Sequence, residues 1–248
     1  MEAHVTDGAF IVNLPRGHNL PQDEEYCEVE MPDGKSHRIR LQDYDAIYSI
    51  PGLYEYLFHD LLQCASPKYT VALLVAALNS YKILVSDQRV LELGAGSGMV
   101  GSELRAAGFT KIYGVDKSVT ARSATERDRP HTYSAYIVDE IGRLSEDTRA
   151  HLNFISPTGV MCVGALGFDD ISIDGLRSTV RDLTTVNWFL VSLHEAFYEH
   201  ERLGYRRTLE ALASSRGLEL NHVQKYRHRN AVDGRPIYYN CVIAMPTK

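Results

Sequence analysis

The sequence predicts an α/β fold: a doubly wound, mainly parallel seven-stranded sheet with a C-terminal antiparallel hairpin, preceded by an N-terminal hairpin and a helical cap. From Arg89 onward, short and nearly continuous apolar runs alternate with helical segments. Apolar strands separated by helices are typical of a parallel sheet that is covered on both faces. The last two strand-like runs flank a tight turn at Asp233-Gly234, which indicates two antiparallel strands.

The N-terminal part is predicted to begin with an arm and a hairpin. Residues 1–25 show no clear periodicity, so we expect a loosely ordered arm that Phe10-Ile11-Val12 could attach to the body. Residues 26–31 and 37–41 alternate apolar and polar side chains on either side of a turn sequence, Pro32-Asp33-Gly34-Lys35. This alternation predicts a β-hairpin.

Two helices are expected next, and they complete a predicted N-terminal domain of residues 1–84. Helical spacing of leucines over 51–64 predicts the first, and Ser66-Pro67 predicts the start of a second that runs to Tyr81. Residues 85–248 are predicted to form a second domain, which contains the seven-stranded sheet. Its helices have plausible early caps at Ser118, Ser145 and Asp174, and its strands are expected at Val90–Leu93, Lys111–Val115, Tyr133–Val138, Val160–Val163, Trp188–Leu193, 218–226 and 236–244.

The composition excludes some classes of protein. A net charge of −6 disfavours a general nucleic-acid binder, which is expected to carry a basic excess. The basic run Lys225–Arg229 is interpreted as a solvated strand face in preference to an anion-binding patch. The four cysteines form no Cys-x-x-Cys pair, so neither a zinc site nor a disulfide framework is expected. The sequence has no apolar run long enough for a membrane span, and we expect a cytoplasmic protein.

The most informative segment is a glycine-rich turn. The apolar run Val90-Leu91 leads to the acidic Glu92, and glycines follow at 94, 96 and 98 before an amphipathic segment, Met99–Leu104. This pattern predicts a buried strand that turns sharply and presents a helix N-terminus to a ligand. Glycine is required where a side chain would hold the ligand away from the backbone. The segment is therefore interpreted as the binding loop of a nucleotide-type cofactor.

Three segments carry a family resemblance. Leu91–Gly98 resembles the glycine motif of class I S-adenosylmethionine-dependent methyltransferases, a resemblance that covers residues 85–248. Tyr113–Asp116 is similar to the end of their second strand, whose acidic residue receives the ribose hydroxyls, and Tyr136–Asp139 to their third, whose polar residue meets the adenine. Residues 44–55 also resemble a segment of small bacterial members. The resemblance implies S-adenosylmethionine as cofactor, with binding residues Glu92, Gly94, Ala95, Gly96, Gly98, Met99, Asp116, Lys117, Asp139, Ala165 and Leu166.

Spacing and charge agree with this cofactor. Asp116 lies 116 − 98 = 18 residues after Gly98, which leaves room for one helix and a returning strand before a ribose-binding acid. An ionised carboxylate can accept hydrogen bonds from two hydroxyl groups. Glu92, near the sulfonium end in the resembling family, is expected to attract a ligand that carries positive charge and to repel a pyrophosphate.

An NAD(P)-dependent oxidoreductase is the alternative. Gly96 to Gly101 match the dinucleotide pattern G-x-G-x-x-G, and Tyr113 and Lys117 have the Tyr-x-x-x-Lys spacing of some dehydrogenases. That tyrosine–lysine pair needs one face of a helix, whereas residues 113–115 are predicted to be strand. A second alternative is a fold that binds S-adenosylmethionine without methyl transfer, such as a cyclase or a binding protein.

The substrate side is expected at the ends of the fourth and fifth strands. His194 directly follows a strand and is a candidate general base or acceptor-orienting residue, although a surface histidine on a loop fits equally well. Phe168 and Phe197 are candidate apolar walls for the acceptor. Asp169 and Asp170 could bind a metal, but capping of the next helix is the preferred interpretation, and no metal is expected.

Aromatic residues crowd the region before the sheet. The chain has 15 tyrosines, and Tyr48 is a candidate cofactor lid because aromatic faces attract a sulfonium cation. Tyr54 is a candidate substrate wall. Packing of the N-terminal segment is the alternative explanation for both. The sequence as a whole predicts methyl transfer from S-adenosylmethionine to a small-molecule acceptor, without a nucleic-acid or membrane partner. A protein acceptor and the oligomeric state stay open.

Overall fold

The computed structural model describes residues 2–6 (backbone only), 10–17, 19–168 and 170–247. It divides into two compact units. The N-terminal unit comprises the described residues up to Ala65 together with Arg227–Ile237, and the sheet unit comprises those of Ser66–Tyr226 and from Tyr238 onward. The domain boundary predicted between residues 84 and 85 stays a prediction.

The N-terminal unit contains a four-stranded antiparallel sheet in the order β1-β2-β3-β4. The predicted hairpin over 26–41 is confirmed, but the described part of the predicted loose arm forms strands as well. Along β2, Phe10, Val12 and Leu14 are buried in alternation with more exposed neighbours. Burial of three apolar side chains offsets the entropy lost by ordering so short a strand. The strands are β1 (Glu2–Thr6), β2 (Phe10–Leu14), β3 (Tyr26–Glu30) and β4 (Ser36–Arg40).

Two short helical segments complete this unit. Helix α1 (Tyr44–Ser49) begins after Asp43, whose side chain accepts a hydrogen bond from the Ala46 N–H. A π-helical segment follows at Glu55–Leu61, within the predicted helix over 51–64. Leu53 and Leu57 are fully buried and anchor this segment in the apolar core of the unit.

A buried ion pair joins the tip of the C-terminal hairpin to the rest of the N-terminal unit. Nη2 of Arg229 lies 2.5 Å from Oε2 of Glu25, and the two side chains are 2% and 0% exposed. The second carboxyl oxygen of Glu25 accepts the Val232 N–H at 2.6 Å. Both charges are therefore satisfied inside the fold, which a buried ion pair requires.

The sheet unit contains the predicted seven-stranded sheet, in the order β10-β11-β9-β8-β5-β6-β7. Strands β5 to β9 pair in parallel, and β11 pairs antiparallel with β9. The doubly wound sheet and the C-terminal antiparallel hairpin are confirmed. The strands are β5 (Arg89–Leu93), β6 (Lys111–Asp116), β7 (Ala135–Val138), β8 (Gly159–Val163), β9 (Trp188–His194), β10 (Leu218–Asn230) and β11 (Pro236–Pro246).

Helices connect the strands, and their caps follow the predicted chemistry except at α6, where neither Asp170 nor Asp174 is the cap. Ser118 and Ser145 accept hydrogen bonds from N–H groups in the first turns of α4 and α5. For α6 the cap is Ser172, whereas Asp174 lies in the first turn, where an acidic side chain complements the helix dipole. The helices are α2 (Ser66–Ser80), α3 (Met99–Ala106), α4 (Val119–Asp128), α5 (Glu146–Ile155), α6 (Ile173–Asp182), α7 (Glu195–Glu199) and α8 (Tyr205–Ser214).

Among the described residues, no single helix has the length and apolarity needed to cross a membrane. Two helical segments joined at a bend, Glu55–Leu61 and Ser66–Ser80, reach this length and apolarity only when they are counted together.

Candidate functional site

The order of the strands defines where a ligand can bind. From β5 the chain continues to β6 and β7 on one side, and then crosses to β8 and β9 on the other. The crevice outside the carboxyl ends of the strands at such a reversal is the usual ligand site of open α/β sheets. The site residues predicted in the sheet unit therefore follow strands whose carboxyl ends share one edge of the sheet.

The glycine loop adopts backbone conformations that suit glycine. Gly94, Gly96 and Gly98 have φ values of +73°, +51° and +82°, in the left-handed region. A Cβ on Gly94 would also lie 2.5 Å from the Cβ of Ala165 in the loop after β8. The first glycine thus allows the loops after β5 and β8 to approach one another, which the sequence did not reveal.

Asp116 directs its carboxylate at the glycine loop. One oxygen accepts the Gly96 N–H and the other accepts the Ser118 N–H, both at 2.9 Å. A carboxylate offers about four acceptor positions, so these bonds are compatible with ribose hydroxyls that also donate to it. The geometry brings the carboxylate predicted to bind ribose next to the loop predicted to bind the cofactor.

The loop is held in place by side chains that sequence reasoning missed. The Gly96 carbonyl accepts hydrogen bonds from Thr125 Oγ1 at 2.9 Å and from the Tyr136 hydroxyl at 2.8 Å. Arg129 donates to the Ser97 carbonyl at 3.2 Å. Nothing in the local sequence of α4 marks Thr125 or Arg129 as loop contacts, because the pairing arises only when α4 packs over the loop.

Glu92 is buried, and its burial opposes the negative charge that the sequence predicts for it. Glu92 is 2% exposed, and its Oε2 accepts a hydrogen bond from the Tyr133 hydroxyl at 2.8 Å. Burial raises the pKa of Glu92 to about 8; the Tyr133 hydrogen bond opposes this rise, and the nearby Asp116 adds to it. Without a ligand, Glu92 is therefore mainly neutral at pH 7, so the predicted anion depends on a cationic ligand that favours ionisation.

Three glycines make room for the ring of Tyr133. A Cβ on Gly101 would lie 2.7 Å from its Cζ and hydroxyl oxygen, and one on Gly114 or Gly98 would lie 3.1 Å or 3.2 Å from its ring carbons. Packing against Tyr133 thus accounts for Gly101, the last glycine of the apparent dinucleotide pattern.

The tyrosine–lysine pair considered for a dehydrogenase does not share a helix. Tyr113 lies inside β6 and Lys117 directly follows that strand. The side chain of Lys117 is exposed, with its Nζ 3.8 Å from Oδ1 of Asp170. The structure therefore gives no support to the Tyr-x-x-x-Lys reading.

Asp139, predicted to meet the adenine, organises the turn after β7. Its carboxylate accepts the Glu140 N–H at 2.8 Å, the Ser145 N–H at 2.9 Å and the Ser145 hydroxyl at 2.8 Å. Burial raises the pKa of Asp139, but hydrogen bonds from Thr148, Ser145 and Glu140 outweigh it and lower the pKa to about 2. Adenine recognition by this side chain stays a prediction.

The remaining predicted cofactor residues lie in the same loops. Met99 is the first residue of α3 and is half-buried. Ala95 is buried, and its N–H donates to the Val115 carbonyl at 3.1 Å. Leu166, after β8, is 3% exposed and belongs to the apolar core of the sheet unit.

The loops after β8 and β9 bring His194 into an aromatic cluster with Phe168, Phe197 and Tyr239. The ring of His194 lies 5.8 Å from that of Phe168, 6.1 Å from that of Phe197 and 5.5 Å from that of Tyr239. Phe168 has a φ of +50°, an uncommon conformation for a bulky residue. The three substrate-side candidates of the sheet unit are thus brought together, whereas Asp169 lies outside the described residues.

The hydrogen bond of His194 bears on its protonation. Its Nδ1 accepts the Ala196 N–H at 3.1 Å at the start of α7. A neutral imidazole that accepts at Nδ1 carries its proton on Nε2. In that tautomer Nε2 is a donor, which suits an orienting role better than that of a general base.

Tyr48 and Tyr54 pack inside the N-terminal unit. Their ring centroids are 5.0 Å apart, and Tyr54 lies 4.8 Å from Phe58. Tyr48 is 6% exposed. These contacts agree with the packing alternative, and the lid and wall roles stay predictions.

The basic run is divided among separate partners. Lys225 forms an ion pair with Glu195, and Arg229 is buried against Glu25. Arg227 donates to Asn230 at 2.9 Å. Because each of these cations has its own partner, the run does not form a single anion-binding patch. Within the described ranges, no group of three His, Cys, Asp or Glu side chains is placed to hold a metal ion.

Comparison with known proteins identifies the fold. No family model matches the chain, and no curated protein matches it in sequence. Its structure is similar to magnesium protoporphyrin IX methyltransferase from Synechocystis PCC 6803 with bound S-adenosylmethionine (TM-score 0.51, 14% identity, 73% of this chain and 79% of that one).

A putative RNA methyltransferase from Pyrococcus horikoshii gives a TM-score of 0.52 at 13% identity, over 71% of this chain and 81% of that one. An S-adenosylmethionine-dependent methyltransferase from Anabaena variabilis gives a TM-score of 0.50 at 10% identity, over 84% of this chain and 96% of that one. The chain thus has the fold of class I S-adenosylmethionine-dependent methyltransferases, and at these identities the likeness concerns the fold alone.

Proposed function

We propose that the protein binds S-adenosylmethionine and transfers its methyl group to a small-molecule acceptor. The observation that carries the proposal is the arrangement of Asp116, whose carboxylate accepts the Gly96 N–H of the glycine loop at 2.9 Å. A carboxylate, which can accept hydrogen bonds from hydroxyl groups, thus contacts a glycine-rich loop one strand away, in a fold used by methyltransferases of this class.

The residues present fit the cofactor. Asp116 would bind the ribose hydroxyls, and the loop would present its backbone to the ligand at Gly94, Gly96 and Gly98. The hydroxyl of Ser97 in this loop is buried and has no hydrogen-bond partner among the described residues. Buried polar groups are normally satisfied, so an orphaned hydroxyl in this loop is what a bound ligand or water would complete.

Catalysis would depend on alignment more than on acid–base chemistry. When bound, S-adenosylmethionine supplies a methyl group already activated by the sulfonium. The chain has to orient the acceptor and exclude water, which can account for a large part of the rate. The cluster of Phe168, His194 and Phe197 would form the acceptor wall, with His194 orienting a polar atom of the acceptor through Nε2–H.

Charge supports a small acceptor over nucleic acid. The net charge of −6 gives no general attraction for a polyanion, and two cations of the basic run, Lys225 and Arg229, are paired with carboxylates. Aromatic walls favour an acceptor with an apolar body. The similar fold of a putative RNA methyltransferase makes RNA the class to include as a comparison in any acceptor screen.

A binding and turnover assay tests the proposal. We expect S-adenosylmethionine and S-adenosylhomocysteine, but not NADH, to raise the melting temperature, because each binds only the folded protein. Formation of S-adenosylhomocysteine is then measured over a panel of small hydroxyl, amine and carboxyl acceptors, with RNA alongside. Stabilisation by NADH alone would favour the oxidoreductase. Binding of S-adenosylmethionine without turnover on any acceptor would favour a binding protein or a cyclase.

His194 is tested separately with His194→Ala and His194→Gln. Glutamine keeps a donor near the position of Nε2–H, so an orienting role predicts that it retains more turnover than alanine, with cofactor affinity unchanged in both. Equal turnover in wild type and His194→Ala would remove the residue from the mechanism.

A further inference from the structure

The described part of the chain contains one buried carboxyl–phenol pair beside the glycine loop, formed by Glu92 and Tyr133. The Tyr133 hydroxyl donates to Glu92 Oε2 at 2.8 Å. Tyr133 lies just before β7, 41 residues along the chain from Glu92. Neither the resemblance nor the glycine motif assigns a role to Tyr133.

The position of the Tyr133 ring is fixed by packing. Gly98, Gly101 and Gly114 supply the space that the ring fills, since a Cβ on any of them would approach its atoms to between 2.7 and 3.2 Å. The ring also makes an edge contact with Tyr136, at 5.3 Å between centroids. Three glycines from the loop, α3 and β6 therefore determine where the phenol points.

The two tyrosines hold different parts of the same site. Tyr136 donates to the Gly96 carbonyl at 2.8 Å, and so supports the backbone of the loop. Tyr133 instead supports a side chain, the carboxyl group of Glu92. The two tyrosines thus offer a matched comparison. The Tyr133 hydroxyl donates to Glu92 at 2.8 Å, with the Ala95 carbonyl at 3.5 Å, whereas the Tyr136 hydroxyl donates to the Gly96 carbonyl at 2.8 Å.

The strand order places Glu92 away from the ribose end of the ligand. Asp116 ends β6, and β5 lies between β6 and β8 in the sheet. A ligand whose ribose binds Asp116 and which extends towards β8 therefore crosses the end of β5, where Glu92 precedes Gly94 by two residues. In S-adenosylmethionine, the part beyond the ribose carries the sulfonium.

We propose that Tyr133 is a positioning residue of the cofactor site, whose phenol holds the carboxyl group of Glu92 towards the cationic end of bound S-adenosylmethionine. This inference rests on the proposed function. A carboxylate held in this position would favour S-adenosylmethionine over S-adenosylhomocysteine, because only the former carries a positive charge on sulfur.

Electrostatics supports a link between this charge and a proton on Glu92. Burial, opposed by the Tyr133 hydrogen bond, raises the pKa of Glu92 to about 8. Burial also raises the pKa of Tyr133 well above that of a free phenol, so the phenol stays a donor. The other ionisable groups that interact with Glu92 are Asp116, Tyr136 and Cys162, on β6, β7 and β8. A cationic ligand would favour the carboxylate and release its proton.

The first arm of the test needs no ligand. Protein with ¹³C-labelled glutamate carboxyl groups is titrated by NMR, and the Glu92 signal is assigned by its loss in Glu92→Gln. Tyr133→Phe keeps the ring and removes the hydroxyl. We expect it to raise the Glu92 midpoint by about one pH unit or more, the value of a hydrogen bond to a charged group. Tyr136→Phe, the matched control, leaves the midpoint within a few tenths of a unit.

The second arm measures affinities for S-adenosylmethionine and S-adenosylhomocysteine by calorimetry between pH 7 and 9. The quantity compared is the affinity for S-adenosylmethionine divided by that for S-adenosylhomocysteine. Glu92→Gln gives the pH dependence that comes from the ligands' own amino groups, which the sulfonium makes unequal. As Glu92 ionises, the wild-type ratio should rise by up to about tenfold relative to Glu92→Gln, and in Tyr133→Phe this rise moves to higher pH.

Two results would contradict the inference and leave the proposed function standing. One is a Glu92 midpoint that Tyr133→Phe leaves unmoved, and the other is a ratio profile that Tyr133→Phe and Tyr136→Phe shift equally. Wild-type protein that binds neither compound would instead overturn the proposed function, and with it the role of Tyr133.

Discussion

Substitution of Gly101 by alanine tests how the glycine loop is built. Gly101 lies inside α3, where alanine is ordinarily better than glycine by roughly 0.5–1 kcal/mol. Here, however, the new methyl would lie 2.7 Å from Thr132 Cγ2 and from Cζ of Tyr133. Overpacking of this kind costs about 1–3 kcal/mol. The net expectation is a loss of about 1–2 kcal/mol, opposite in sign to the helix propensity.

The measurement is urea denaturation followed by tryptophan fluorescence. The chain has a single tryptophan, Trp188, which is fully buried in β9 and therefore reports on the sheet unit. Ser102→Ala, one position along the same helix, is the matched control and should leave stability unchanged or slightly higher. A Gly101→Ala protein as stable as wild type would refute the reasoning, because it would mean that the Tyr133 ring does not occupy this space.

Three further predictions concern charge. Asp116→Asn leaves one acceptor oxygen for the N–H groups of Gly96 and Ser118, which now bind one carboxylate oxygen each. We therefore expect calorimetry to show roughly 10–100-fold weaker binding of S-adenosylmethionine. An undiminished affinity would remove Asp116 from the site. Because the pKa of Glu92 is raised, its contribution to stability is fully present below about pH 4.5 and is lost as the pH rises through about 8. In urea titrations, the unfolding free energy of wild type relative to Glu92→Gln should therefore fall across this window. A difference that does not change with pH would contradict the buried carboxyl group. Arg229→Met leaves Glu25 buried without its cation and should destabilise the N-terminal unit by about 3–5 kcal/mol in hydrogen-exchange measurements, an effect that an exposed ion pair would not produce.

Much of the fold could be predicted because its signals are local. The apolar runs of β5, β6, β8 and β9 each occupy a few consecutive residues, and the Asp233-Gly234 turn specifies the last hairpin. Strand β2 was missed because a five-residue alternation is short and is followed by Pro15-Arg16-Gly17, a sequence typical of irregular structure. For α6, Ser172 and Asp174 can both cap a helix, and only the backbone geometry distinguishes them.

The parts of the site that could not be predicted depend on partners distant in sequence. Glu92 and Asp116 stand out because each follows an apolar run, but the contacts of Tyr133 and Thr125 with this loop exist only after the helices and strands pack. The pairing of Arg229 with Glu25 spans 204 residues, so a basic run that suggests a solvated surface supplies a buried cation instead. The sequence assigns Gly94, Gly96 and Gly98 to the ligand, but it gives no reason for Gly114 and explains Gly101 only by the dinucleotide pattern. In the structure both make room for the Tyr133 ring.

A crystal structure of the protein with S-adenosylhomocysteine tests the central claim most directly. The account predicts that both ribose hydroxyls lie within hydrogen-bond distance of the Asp116 carboxylate and that the sulfur lies on the Glu92 side of the glycine loop. Adenosine bound away from residues 92–116, or occupancy of this loop by the pyrophosphate of an added dinucleotide instead, would contradict it.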